Sequence, residues 1–157
     1  MVQAQFYYKN SNAPKPNQPT SIGVVAVIER NGSILLEKRQ DSEKWALIGG
    51  AIHTNEALLE GLSREVKEET GLTVTEASLL GTFSDPSRII SFPDGNVKRI
   101  ITIAYDVLVE PFTDVVCSEE SIELRFIAKD QLPHIDIAET HLPIVQAIMN
   151  NQRPVLE

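Results

Sequence analysis

Gly50–Leu72, GAIHTNEALLEGLSREVKEETGL, decides how the rest of the chain is read. The pattern predicts a helix from about Asn55 to Thr70. Thr54 or Asn55 caps its start, because either side chain accepts a bond from a free first-turn N–H. Gly71 stops it, where a left-handed residue is least strained. At about 100° per residue, Leu58, Leu59, Leu62 and Val66 form one apolar stripe facing the core. By the same spacing Glu65 and Glu69 fall within or beside that stripe, one turn apart, with Glu68 next to them. Carboxylates this close repel one another, and partial burial makes each harder to ionise. A lone acidic run is ordinarily a solvated face, but its place on the apolar stripe favours a hard cation. Mg²⁺ takes oxygen ligands, often one or two carboxylates with substrate phosphates and waters.

Gly50, Glu56, Arg64, Glu65, Val66, Glu68, Glu69, Gly71 and Leu72 also fill every specified position of the pattern G-x5-E-x7-R-E-U-x-E-E-x-G-U, with U aliphatic. The chain thereby resembles the Nudix hydrolases, of the MutT-like kind. The resemblance implies an α/β (α+β) fold, an α/β/α sandwich with a mixed β-sheet. It implies a Mg²⁺-dependent hydrolase, with Mn²⁺ as a substitute, that cleaves the diphosphate linkage of a nucleoside diphosphate joined to another group. By the same resemblance Glu65, Glu68, Glu69 and the Gly49 carbonyl bind metal, and Glu65 also orients or deprotonates the water. Arg64 holds the acidic cluster and Glu56 pairs with Arg64, while Gly50 and Gly71 are structural members of the motif. The family often recruits a further acid from a late loop. Glu120 is the first candidate for catalysis and metal binding, then Glu119 and Glu123.

Composition agrees. The chain has 157 residues, the size of one domain with a real core. No long apolar run marks a membrane span, and the start, MVQAQFYYKN, lacks the apolar stretch of a signal peptide. Cys117 is the single cysteine and makes no internal disulfide, which favours the cytoplasm. A net charge of −8 argues against nucleic acid as the main partner. It leaves a nucleotide-type small molecule open, because bound cations reverse the local field.

Residues 1–20 carry Pro14, Pro16 and Pro19 and read as an N-terminal arm before a single domain over 21–157. Phe6, Tyr7 and Tyr8 in the arm are expected to pack, and with family habit they suggest a homodimer. Ser21–Glu29 reads as a central strand, Asn31-Gly32 as a hairpin turn, and Ser33–Arg39 as its partner. Lys38 and Arg39 at the end of that strand are candidates to face a phosphate. Trp45–Ile48 is a short strand leading to Gly49-Gly50, where backbone can approach phosphate or metal closely. Thr73–Phe83 contains a strand, Asp85–Arg88 is a turn followed by a loop through Gly95, and Val97–Val109 alternates as a long strand. Ile122–Ala128 is the last strand, and a helix over about Thr140–Asn150 closes the chain.

Three positions depart from family habit: Ile48 stands for a usual proline, His53 for an acid and Asn55 for a frequent glycine. Pro86, some way past the motif, is a position the family associates with ADP-ribose hydrolysis, and Arg88 beside it is a candidate to hold a phosphate or ribose. The substrate expected is therefore ADP-ribose or a nucleotide sugar, with nucleoside triphosphates as the alternative. A fold-sharing diphosphate isomerase is disfavoured because Cys117 lacks the needed context. A non-catalytic nucleotide-binding module is disfavoured because the acidic cluster is intact.

Overall fold

The computed structural model describes residues 3–157. In chain order the elements are β1 (Gln5–Tyr7), β2 (Ser21–Val27), β3 (Glu29–Arg30), β4 (Ser33–Arg39), β5 (Trp45–Ala51), α1 (Leu58–Thr70), β6 (Val74–Phe83), β7 (Ile89–Ser91), β8 (Val97–Val109), β9 (Ser121–Ala128) and α2 (Leu142–Met149), with 3-10 turns at Lys129–His134 and Glu139–His141.

β2 is apolar at consecutive positions because both its faces are covered, as buried strands require. Val24 and Ala26 pack with Leu62 and Val66 of α1. Val25 and Val27 point the other way, into a core completed by Ile144, Val145 and Ile148 of α2. The period-2 alternation of a strand thus sorts one apolar run into two cores. β2 runs parallel to β8 and antiparallel to β5. β7 and β6 take successive stretches of the other side of β8, and β9 lies on β4. β5 divides its pairing: Trp45–Leu47 bond to β4, and Ile48–Ala51 bond to β2. The fold is the expected mixed sheet between two helices, and the opening created by β5 holds the site.

The Asn31-Gly32 turn sits between Arg30 and Ser33 with φ of 53° and 79°, the paired positive angles a two-residue hairpin needs. Gly71 stops α1 at φ 77°, its N–H donating to the Lys67 carbonyl. Several local expectations are corrected. α1 begins at Leu58 rather than Asn55, and neither Thr54 nor Asn55 caps it; the Glu60 carboxylate accepts from the Ala57 N–H at 3.1 Å. The preceding turn is held instead by Glu56, which accepts the His53 N–H at 2.7 Å. Leu59 is exposed, so the apolar stripe is narrower than the spacing suggested. Ile89–Ser91, expected as loop, pairs with both β8 and β1. The first part of the arm is tied to this edge, with Ala4 and Phe6 buried. α2 is shorter than Thr140–Asn150, its first turn being the 3-10 segment. Among the described residues no helix is long and apolar enough to cross a membrane.

Candidate active site

α1 carries the acidic cluster to the C-terminal end of β5. Leu62 and Val66 anchor the helix on the sheet, and Glu69, one turn beyond Glu65, is drawn down with them until it is only 5% exposed. Its carboxylate accepts the Gly49 N–H at 3.3 Å. Burial, then the charges of Glu37 and Glu65, push the Glu69 carboxyl up to about 10. A side chain at Gly50 would strike Glu65, since an added Cβ falls 2.6 Å from its Oε1. That close approach is the structural reason for glycine at this point of the motif.

Arg64 organises the rest. It donates to Glu56 at 2.5 and 2.9 Å, to Glu65 at 2.9 Å, to Glu68 at 3.2 Å and to the Ala51 carbonyl at 3.2 Å. Hydrogen bonds from Arg64 and from the His53 backbone hold Glu56 down near 2. Glu56 and Arg64 therefore form a permanently charged brace. Glu68 is the outer member, with its side chain 59% exposed. His53 stands in solvent at 3.8 Å from Glu56.

The cleft over these groups has a volume of 520 Å³ and is lined by Glu65, Glu69, Glu37, Arg39, Glu119 and Glu120, with Gly49–Ala51 along one edge. Glu120 and Glu119 enter from the loop before β9, whereas Glu123 turns away to pair with Arg125. Arg39 is fixed by a two-point bond to Asp41 at 2.8 and 2.6 Å and lies over the Phe6 ring. Lys38 alternates to the opposite face and lines none of the cavities described here.

Arg88 is corrected by its burial. It is 0% exposed, and its guanidinium donates to the carbonyls of Thr140, Phe83 and Ile100 and to the Thr102 hydroxyl. It ties β6, β8 and the start of α2 together and has no access to a ligand. Pro86 lies exposed on the neighbouring turn and also lines neither cavity.

Two site residues escaped the sequence reading. Glu37 is 4% exposed, accepts the Ser121 hydroxyl at 2.6 Å and faces Glu69; burial raises its pKa. Strand alternation could have found it, because Glu37 shares a face with Leu35, which packs against α1. The second is His141, whose Nδ1 accepts the Leu47 N–H at 3.0 Å from 94 residues away. No local pattern marks such a contact. Burial, then Arg88 and Arg39, lower the His141 pKa to about 3. It lines a second cavity of 240 Å³ on the α2 face of the sheet, with Phe92, Lys98, Ile100 and Thr102. The two cavities meet at Arg39 and Gly49–Ala51.

Among the described residues no three Asp, Glu, His or Cys side chains converge as a closed metal cage. The donor set fits Mg²⁺ nonetheless, because that ion is usually held by one or two carboxylates and completes its shell with phosphate and water. Glu65 and Glu69, both largely buried and repelling, supply that pair.

The NUDIX domain model matches residues 17–148. An ADP-ribose pyrophosphatase of Methanocaldococcus jannaschii is 33% identical over 132 residues, covering 82% of this chain and 73% of that protein. A nucleoside triphosphatase NudI of an Enterobacter species is 32% identical over 133 residues, covering 78% of this chain and 93% of that one. Among solved structures, a MutT protein from Methanosarcina mazei superposes with a TM-score of 0.72 at 25% identity, over 88% of this chain and 99% of that one. A MutT Nudix hydrolase from Burkholderia pseudomallei gives 0.65 at 26% identity, over 82% and 96%. The chain belongs to the Nudix family, and it is a Nudix hydrolase. Members of this family generally use divalent metal ions and act on nucleotide-type small molecules.

Proposed function

We propose that the protein is a Mg²⁺-dependent hydrolase that cleaves a diphosphate linkage of a nucleotide, with the phosphates over the carboxylate cleft and the base in the adjoining cavity. The observation that carries this reading is the pair Glu65 and Glu69, held against the Gly49-Gly50 backbone where the two cavities join. Glu65 and Glu69, with the Gly49 carbonyl, would hold the metal, and Glu68 would assist from the rim. A bound Mg²⁺ offsets charge on the phosphates and activates water. The protein's own groups do the positioning. Arg64 fixes Glu65, Arg39 presents its cation to a phosphate, and Glu120 stands at the mouth as the candidate proton acceptor for attacking water. Phosphoryl transfer needs little covalent help from protein, so alignment and electrostatics supply most of the rate.

Two substrates are offered by the relatives' names, ADP-ribose and a nucleoside triphosphate. Identity near one third does not separate them, and Pro86 touches neither cavity. The test is a Mg²⁺-dependent screen of ADP-ribose, nucleotide sugars and all common nucleoside triphosphates with wild type and Glu69→Gln. Release of a nucleoside monophosphate by wild type, lost in the variant, is the expected result. Turnover unchanged in Glu69→Gln, or independent of divalent cation, would overturn the assignment.

A further inference from the structure

The cavity on the α2 face has an uneven polarity. Its apolar surface comes from Ile90, Ile100 and Phe92, the last a ring on which a planar base can stack. Its charged side chains are Arg39 and Lys98, both donors only, with Lys98 5.6 Å from the centre of the Phe92 ring. No Asp, Glu, Asn or Gln lines it among the described residues. Thr102 accepts from Arg88 at 3.0 Å, which takes one of its two lone pairs and leaves its hydroxyl hydrogen free to donate.

His141 sets the remaining group. Its Nδ1 accepts a backbone N–H, so that nitrogen carries no proton. A neutral imidazole must then carry its hydrogen on Nε2, and burial near Arg88 and Arg39 keeps the ring neutral. Nε2 finds no partner among the described residues, while the ring lines the cavity. His141 meets β5 at Leu47, two residues before Gly49, and faces into the cavity from the turn before α2. A base entering with its sugar toward Gly49–Ala51 would present its outer edge to this ring.

Resting on the nucleotide-hydrolase reading above, we propose that His141 is a specificity-determining residue whose Nε2–H donates to a carbonyl oxygen of the base, so that the cavity selects keto-bearing bases over amino-bearing ones. Uracil, thymine, guanine and hypoxanthine offer an oxygen where adenine and cytosine carry an amino group. An amino group there meets a second donor at His141, with no side-chain carboxylate or amide in the lining to accept from it, and loses the hydrogen bond that a carbonyl would make. The inference turns the substrate away from adenine nucleotides, ADP-ribose included.

Matched pairs that differ at this edge give the test: UTP against CTP, and ITP against ATP, with kcat/KM measured for wild type, His141→Phe and His141→Asn. Wild type is expected to favour the keto member of each pair by about 10-fold or more, the scale of one well-placed hydrogen bond. His141→Phe should bring each ratio within about 2-fold, and His141→Asn, whose amide also accepts, should recover the amino member. Melting temperatures check that both variants fold. Independently, ¹⁵N-histidine spectra of the wild-type protein should show His141 protonated at Nε2 alone; protonation at Nδ1 would overturn the inference without any variant. Calorimetric binding of UMP, CMP, IMP and AMP separates this inference from the catalytic one. Keto-selective binding without turnover would sink the hydrolase assignment and leave His141 standing. Turnover with equal constants in both pairs would sink His141 and leave the hydrolase. Failure to bind any nucleotide overturns both.

Discussion

The two sides of Gly49–Ala51 carry opposite chemistry. On the α1 side the lining is mostly carboxylate, with Glu37, Glu65 and Glu69 pressed together and burial raising the pKa of Glu69. On the α2 side the charged lining is cationic, and the rest is apolar apart from Ser21, Thr102 and the neutral His141. Neither half alone suits a nucleotide, since carboxylates repel phosphate and a ring-shaped cavity does no hydrolysis. Together they fit a molecule with an anionic end that needs a cation and a flat end that needs donors. Arg39 belongs to both linings, which places a fixed positive charge where the two ends meet.

The sharpest way to break this contrast is Glu69→Gln. Hydrolysis should fall about 1,000-fold in kcat, the scale seen when a fixed electrostatic group is lost, while nucleotide monophosphate binding changes little. A comparable loss of monophosphate binding would mean that the two sides are not separate. Gly50→Ala comes next. Its added Cβ forces Glu65 aside, and a displacement of that size should lower kcat about 100-fold with the fold retained, checked by circular dichroism alongside the kinetics. Wild-type kcat in that variant would show that the position of Glu65 is not critical.

Arg88→Met addresses the α2 side. It strands the carbonyls of Thr140, Phe83 and Ile100, and should reduce stability by at least about 3 kcal/mol in urea unfolding. A change under about 1 kcal/mol would show that these carbonyls find water instead. The same contrast can be tested in pH. Glu69 rises from an ordinary 4.5 to about 10, so the folded protein keeps a proton that the unfolded chain releases between those values. Its contribution is fully present below the unfolded pKa and is lost as pH rises toward the folded one. The melting temperature in EDTA should therefore fall by several degrees between pH 5 and 9, and flatten with Mg²⁺ or with Glu69→Gln. A flat profile in EDTA would mean that Glu69 is ionised without a cation.

Much of this was legible before the fold. β4 and β8 match their expected spans, and the run SIGVVAVIE announced a doubly covered strand because consecutive apolar residues need two cores. The motif placed Glu65 and Glu69 on the buried stripe through helical spacing. What escaped depends on contacts distant in sequence. Arg88 looked like a surface arginine beside a turn, yet three carbonyls from separate elements enclose it. Ile89–Ser91 is too short to show a period and becomes a strand through its neighbours on both sides. The helix start was misplaced because Glu56, on the helical pattern, is claimed by Arg64 and the His53 amide.

β5 hands its hydrogen bonds from β4 to β2 halfway along its length. A consequence is separability under variation. The acidic groups ride on α1, β4 and the loop before β9, while the ring-facing groups ride on β7, β8 and the turn before α2, and only this strand's glycine end and Arg39 are common property. A mutagenic library confined to residues 90, 92, 98, 100 and 141 would search for new ligands without displacing the hydrolytic carboxylates. One confined to residues 56–69 would alter rate and leave the choice of base intact. One scaffold can thereby serve different nucleotides by exchanging one wall.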